Sequence, residues 1–265
     1  MKKVAYLYLL SPLHTGGASQ EGNVVAIARE VHTELPYAPS STMRGRLRAT
    51  TPDDQKNILW GNTLEDVTAG NDGNLTQGLL WVGDASILWF PVPSLSHGIV
   101  WITSPFLLRR WLRLIDTDLN LPSVGSFSHQ ENNQNLYLKD AVFQSSELTG
   151  WHNWQQYIPN GNDEVETISK VLVLSDQDCQ ILIQSSLWRQ VKIKLDNDKQ
   201  VDGGFRYEEA IPPETLMFFP WGLTTVANGN ATNAISSCQT IIQNNDWQFG
   251  GQESLGRGFV ELWSN

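Results

Sequence analysis

Cysteine is scarce in this chain. Only Cys179 and Cys238 occur in 265 residues, and neither belongs to a Cys-x-x-Cys pair. A zinc ribbon or a disulfide framework is therefore excluded. Cys179 precedes an apolar run and Cys238 shares helical spacing with isoleucines, so both read as small core residues. Cations are also few: 18 Lys and Arg against 28 Asp and Glu give a formal charge of −10. A protein that binds polyanions over its whole surface is excluded, and any anion site must be local. The apolar stretch Val4–Leu10 is too short to cross a membrane and lacks a cleavage site, so a cytoplasmic location without membrane contact is the expectation. The five histidines are scattered, and no Ser/His/Asp or Cys/His arrangement follows from the spacing.

What is present argues for a packed core. Hydrophobic residues make up 40% and charged residues 17%, which excludes disorder. Eleven tryptophans imply large buried surfaces, partner contacts, or both.

Val4–Leu10 is apolar on both faces, as a central strand covered on both sides would be. Leu13 to Gly22 reads as a flexible loop able to lie along a ligand. Thr51, Pro52, Asp53 and Asp54 announce a helix that Gly61 ends. Residues 62–78 read as a surface loop. Leu79–Pro91 reads as one long strand or a bent pair, Pro105–Leu114 as a helix, and 116–134 as a polar excursion. Leu136–Phe143 and Val171–Leu174 read as strands, and Ile181–Trp188 as a weak helix. Val191–Leu195 and the residues from Gln200 onward read as a hairpin. Glu214–Trp221, a helix over Thr232–Gln243 and a last strand Phe259–Trp263 complete the chain. The irregular alternation favours an α+β fold in a single domain over 1–265.

Two stretches carry chemistry. Pro36–Ala49 is a stiff loop breaking into a helix: Ser40, Ser41 and Thr42 are good caps, and Met43 and Leu47 share one face. Arg44 and Arg48 share another face, with Arg46 elsewhere and Gly45 permitting close approach. Unpaired N–H groups at a helix start, with arginines near, suit phosphate. A solvated basic helix is the alternative for this window. Gly250, Gly251, Gly256 and Gly258 enclose a loop carrying Arg257, whose backbone could approach a phosphate chain closely. It is not a P-loop, lacking Gly-Lys-Ser/Thr, and a strand follows where a dinucleotide fold needs a helix. A tight turn before the last strand is the alternative.

Gly250-Gly-Gln-Glu-Ser-Leu-Gly-Arg-Gly-Phe-Val resembles the C-terminal glycine-rich loop of the RAMP superfamily of CRISPR proteins. Ser11-Pro-Leu-His-Thr-Gly, Arg29-Glu-Val-His-Thr-Glu-Leu-Pro and Ser40-Ser-Thr-Met-Arg-Gly resemble the opening of the backbone subunit of Cmr-type (type III-B) complexes. The segments beginning at Val82 and Gly203 resemble that family's middle and thumb-proximal motifs. The resemblance implies a modified ferredoxin-like (RRM-like) palm with a β-hairpin thumb at about 195–212, including Gly203, Gly204 and Phe205. It implies copies stacked along a guide RNA, with target RNA and other type III effector subunits as further partners. Each thumb would push one nucleotide out of the guide–target duplex. Arg44 stands where the family has a lysine that touches the guide backbone. His14, Gly16 and Gly17 occupy the family's first loop, and Gly250 to Gly258 its last. A subunit that holds any sequence should grip phosphates and 2′-hydroxyls.

One position departs from the family. Its members cut target RNA with an aspartate shortly before the Arg-Glu pair, thought to act with a divalent metal. Here that position falls on Val24 or Val25, so the expectation is a subunit that holds RNA without cutting and has no cofactor. Glu21 is the nearest substitute acid. Two alternatives stand: a metal-dependent target-RNA endoribonuclease using Glu21, and a stand-alone guide-RNA-processing endoribonuclease, for which His14 and His32 are the candidate bases.

Overall fold

A computed structural model describes residues 2–21, 23–68, 74–130, 134–196, 198, 200–227, 231–243 and 246–264. The fold is α+β. Strand Lys2–Leu9 is an interior strand of a large mixed sheet, antiparallel to Leu216–Leu223 on one side and to Phe259–Ser264 on the other. Leu216–Leu223 also pairs with Ala85–Ser94, which pairs with Gly98–Thr103. Val171–Val173 then adds in parallel to Gly98–Thr103.

Alternate residues of the first strand enter two separate cores, as the two-sided apolar pattern predicts. Ala5, Leu7 and Leu9 face one core, built with Met43, Leu47, Leu59, Trp60, Ile183, Cys238 and Ile242 from four helices. Those helices are Ser40–Thr50, Asp53–Trp60, Asp176–Ser185 and Ala231–Gln243. Val4, Tyr6 and Tyr8 face the other core, with Leu108 and Trp111 of helix Pro105–Leu112 and the irregular segment holding Trp151, Tyr157, Val165 and Ile168. Both cysteines are buried, and burial pushes the Cys238 thiol up to about 12.

None of the eleven tryptophans is exposed, so their surface is spent inside the chain. Their ring N–H groups find internal acceptors: Trp89 donates to the Tyr157 carbonyl at 3.0 Å, Trp263 to the Asn160 carbonyl at 2.9 Å, and Trp60 to Thr51 Oγ1 at 2.8 Å.

Several expectations change. The loop after Leu13 becomes a strand, Gly16–Glu21, paired antiparallel to Val24–Ile27. Residues 62–78 contain a short helix, Leu64–Thr68, while 69–73 lie outside the described residues. The excursion 116–134 contributes Ser126–Phe127 to the large sheet, because Phe127 is apolar enough to be buried. Leu136–Phe143 is two short strands forming a hairpin. The weak helix lies earlier, at Asp176–Ser185, where Ser175 caps it by accepting from the Asp178 N–H. Trp188 instead opens a strand.

A second sheet of four strands holds the expected hairpin, Trp188–Leu195 with Val201–Ala210. The latter strand pairs in parallel with Val24–Ile27, Tyr207 opposite Val24 and Glu208 opposite Val25.

Candidate nucleic-acid interface

Three segments far apart in sequence converge on the turn Ser11–Thr15. Gly251 donates its N–H to the His14 carbonyl at 3.0 Å, and Gly258 donates to the Pro12 carbonyl at 3.0 Å. Thr15 Oγ1, one residue on, donates to the Tyr37 carbonyl at 3.1 Å, and Tyr37 stands three residues before the arginine helix. The glycine-rich loop and the strand feeding that helix therefore flank one turn. Leu13 exchanges backbone hydrogen bonds with Ile211, joining the hairpin's root to the same point.

Glycine is required where the loop touches the turn. Gly250 has φ +74°, and an added Cβ would lie 2.4 Å from the His14 carbonyl oxygen. Gly256 has the same φ with open space around it. His14 is buried, and its Nδ1–H donates to the Glu209 carbonyl at 2.7 Å. Gly16, Gly17, Gly251 and Gly256 are exposed.

Helix Ser40–Thr50 begins on Pro39, and none of its Ser or Thr side chains caps it. Asp84 does so instead, accepting the Ser40 N–H at 2.6 Å. Ser41, Arg44 and Gly45 are exposed, whereas Met43 is fully buried and Arg46 half-buried. Arg44 donates to the Trp60 carbonyl, and Arg48 to the Gly61 carbonyl at 2.8 Å. Both thus cap the C-terminus of helix Asp53–Trp60, where backbone partial charge is negative. Partial burial, then the charge of Arg48, hold the Arg44 pKa below its ordinary value. Arg257 is 4% exposed. It stacks over Trp188 at 4.0 Å and donates to Gln190 Oε1 at 2.7 Å, fastening the loop to the hairpin root.

The hairpin is two-faced. Val191 pairs across from Tyr207 and Ile193 from Phe205 on one face, all four exposed; Lys192 pairs with Arg206 on the other. Phe205 meets Tyr207 edge to face at 5.5 Å between ring centres. Gly203 lies on its second strand, and Gly204 follows with φ +100°.

Sequence reasoning assigned no role to the acids at the hairpin root. Glu208 is fully buried, with Lys192 Nζ at 2.6 Å, Arg206 at 3.1 Å and Arg257 at 3.9 Å. Burial pushes its carboxyl up, but the Lys192 hydrogen bond and charge outweigh that and leave it below the ordinary carboxylate value. Glu209, on the opposite face, takes Arg29 at 2.7 Å and Arg189 at 3.0 Å. The legible signal was two consecutive acids on an alternating strand opposite Arg189 and Gln190, with cations one step beyond.

A groove of about 690 Å³ runs beside the strand Val24–Ile27. Gly17, Val24, Ala26, Ile27, Arg29 and Glu209 help line it. These residues do not fit a divalent cation. Hard cations need several free oxygen ligands, and of the two carboxylates on this groove, Glu34 and Glu209, the second is already ion-paired to Arg29 and Arg189. Among the described residues no three His, Cys, Asp or Glu side chains group to hold a metal. Glu21 lies on its strand opposite Val24, and its side chain lies outside the described part of the structure.

These features define a class: an α+β sheet protein with a glycine-rich loop and a capped basic helix converging beside a projecting hairpin. The RAMP superfamily model matches residues 6–261, and the chain belongs to that superfamily. The chain is 28% identical over 288 aligned positions to the CRISPR system Cmr endoribonuclease Cmr4 of Pyrococcus furiosus, covering 97% of this chain and 93% of that protein. It is similar to the crystal structure of oligomeric Cmr4 from Pyrococcus furiosus, with TM-score 0.73, 23% identity, and coverage of 100% and 98% of the two chains. It is also similar to a chain in the cryo-EM structure of the Type III-B Cmr-beta complex bound to cognate target RNA. There the TM-score is 0.75 at 22% identity, covering 100% and 97%. Among the described residues no helix is long and apolar enough to cross a membrane.

Proposed function

We propose that this chain is a backbone subunit of a type III-B CRISPR effector complex, holding guide RNA without reading its sequence. The observation that carries the reading is the convergence of the glycine-rich loop and the strand entering the arginine helix on Ser11–Thr15. Exposed Gly251, Gly16 and Gly17 let a ribose-phosphate strand approach backbone there, with Arg44 supplying charge. The large sheet is then a modified ferredoxin-like palm in a single RAMP domain. The two-faced hairpin is its thumb, with Phe205 as the wedge that unstacks a nucleotide. The oligomeric crystal form of the Cmr4 relative supports copies of the chain side by side, and the Cmr-beta complex bound to target RNA supports other effector subunits as partners.

The subunit holds target RNA without cutting it. By the resemblance, the family's aspartate position falls on Val24 or Val25, neither an acid, and Glu208, in register with Val25, is clasped by cations. The test is the purified complex with matched target RNA and magnesium or manganese. Guide retention with intact target is expected. Cuts at regular spacing, lost on Glu21→Ala, overturn the non-cutting reading and favour the activity named for the Cmr4 relative.

A further inference from the structure

Burying a carboxylate is costly unless it is well paired, and few strands bury two in a row. Glu208 and Glu209 do so, at the only part of the hairpin that is not exposed among its described side chains from Gly204 to Ala210, apart from Ala210 itself. Their side chains leave opposite faces of the strand and reach different parts of the chain. Glu208 gathers Lys192 and Arg206 of the hairpin and Arg257 of the glycine-rich loop. Glu209 gathers Arg189 of the hairpin and Arg29, whose Nε also donates to Gln184 Oε1 at 3.2 Å on helix Asp176–Ser185. The Glu209 carbonyl holds His14 in the turn. Above this root the described side chains of the strand, Gly204 to Tyr207, are exposed, and its backbone pairing with Val24–Ile27 extends only as far as Tyr207, so the side-chain clamps act where the sheet support ends.

We propose that Glu208 and Glu209 are positioning residues that set the hairpin's attitude relative to the two loops flanking the turn Ser11–Thr15. An ion pair aligns charges at a short distance and in a narrow set of directions, which generic apolar packing does not. One clamp on each face resists tilting either way. The consequence for RNA rests on the reading above: the hairpin meets the duplex at a fixed place because the loop that holds the strand also holds the hairpin.

The test separates positioning from stability. Glu208→Gln leaves Lys192 and Arg257 without their carboxylate and should lower the thermal midpoint by roughly 5–15 °C. Adding Lys192→Met removes a stranded cation and should recover most of that loss. Spin labels at Ile193→Cys on the hairpin and Leu95→Cys on the palm then report the distance between them. The parent chain should give one narrow distribution. Glu208→Gln/Lys192→Met should give a broadened or shifted one despite its recovered midpoint. An unchanged distribution overturns the proposal, whatever the RNA reading. In the guide-bound complex, chemical probing of the target should show regular unstacked positions in the parent and blurred ones in the double variant. A broadened distance with unblurred probing overturns the link to RNA alone. A parent complex that retains no guide overturns the RNA reading and leaves the distance result to decide the clamps.

Discussion

Gly45 sits within helix Ser40–Thr50, exposed, with open space where a Cβ would go. Glycine inside a helix costs about 0.5–1 kcal/mol relative to alanine, chiefly through backbone entropy. Nothing in the chain itself requires it. Gly45→Ala should therefore stabilise the fold by that amount, raising the thermal midpoint by roughly 1–4 °C. If a phosphate approaches this turn, the new methyl group stands in its way. Losing a hydrogen bond to a charged group costs about 1.5–3 kcal/mol, or roughly tenfold to a hundredfold in affinity. The two effects have opposite signs, which a variant that merely damages the fold cannot produce. Thermal denaturation of the free chain and filter binding of guide-length RNA measure them. A more stable variant that binds RNA as before would refute the claim that the strand passes over Gly45.

Other outcomes follow from the same geometry. Arg44→Glu should weaken RNA retention for every guide sequence and reduce the salt slope by about 0.7 for one lost single-strand contact; loss confined to certain guides contradicts a phosphate contact. Gly250→Ala combines a left-handed backbone with a clash on the His14 carbonyl and should cost roughly 2–5 kcal/mol, whereas Gly256→Ala, with the same φ and no neighbour, should cost about 1–2 kcal/mol; equal losses in urea denaturation refute the packing described. Burial pushes the Glu30 carboxyl up, but hydrogen bonds from Arg110 at 2.6 and 2.9 Å and from Thr33 outweigh it and keep the carboxyl below its ordinary value. Glu208 behaves alike. The stability these groups contribute is complete above pH 4.5 and lost as pH falls through their lower folded values. Glu30→Gln should flatten the decline of the thermal midpoint in that acid range, and an unchanged slope refutes the linkage.

The legible parts of this fold are those whose pattern is local. Val4–Leu10 announced a strand covered on both faces, and its alternate residues do enter two cores. Asp53–Trp60 was marked by Pro52 and Gly61. What stayed hidden was decided across the chain. The helix at Ser40 is capped by Asp84, 44 residues away, which no local signal contains. Gly16–Glu21 is a strand because Val24–Ile27 pairs with it, although its own residues favour a loop. Arg257 reads as an exposed loop cation until Trp188 and Gln190 arrive from the hairpin. Tryptophan content pointed equally to partners and to the interior, and the indole N–H acceptors lie inside the chain.

The most direct measurement is hydrogen exchange of the chain with and without guide-length RNA. Slowed exchange together at residues 40–45 and at 250–256, including the Gly251 amide region, is the expected result. Slowing at neither segment, or only around exposed Arg109 of helix Pro105–Leu112 and Arg113 just beyond it, would contradict an RNA strand held where these loops meet.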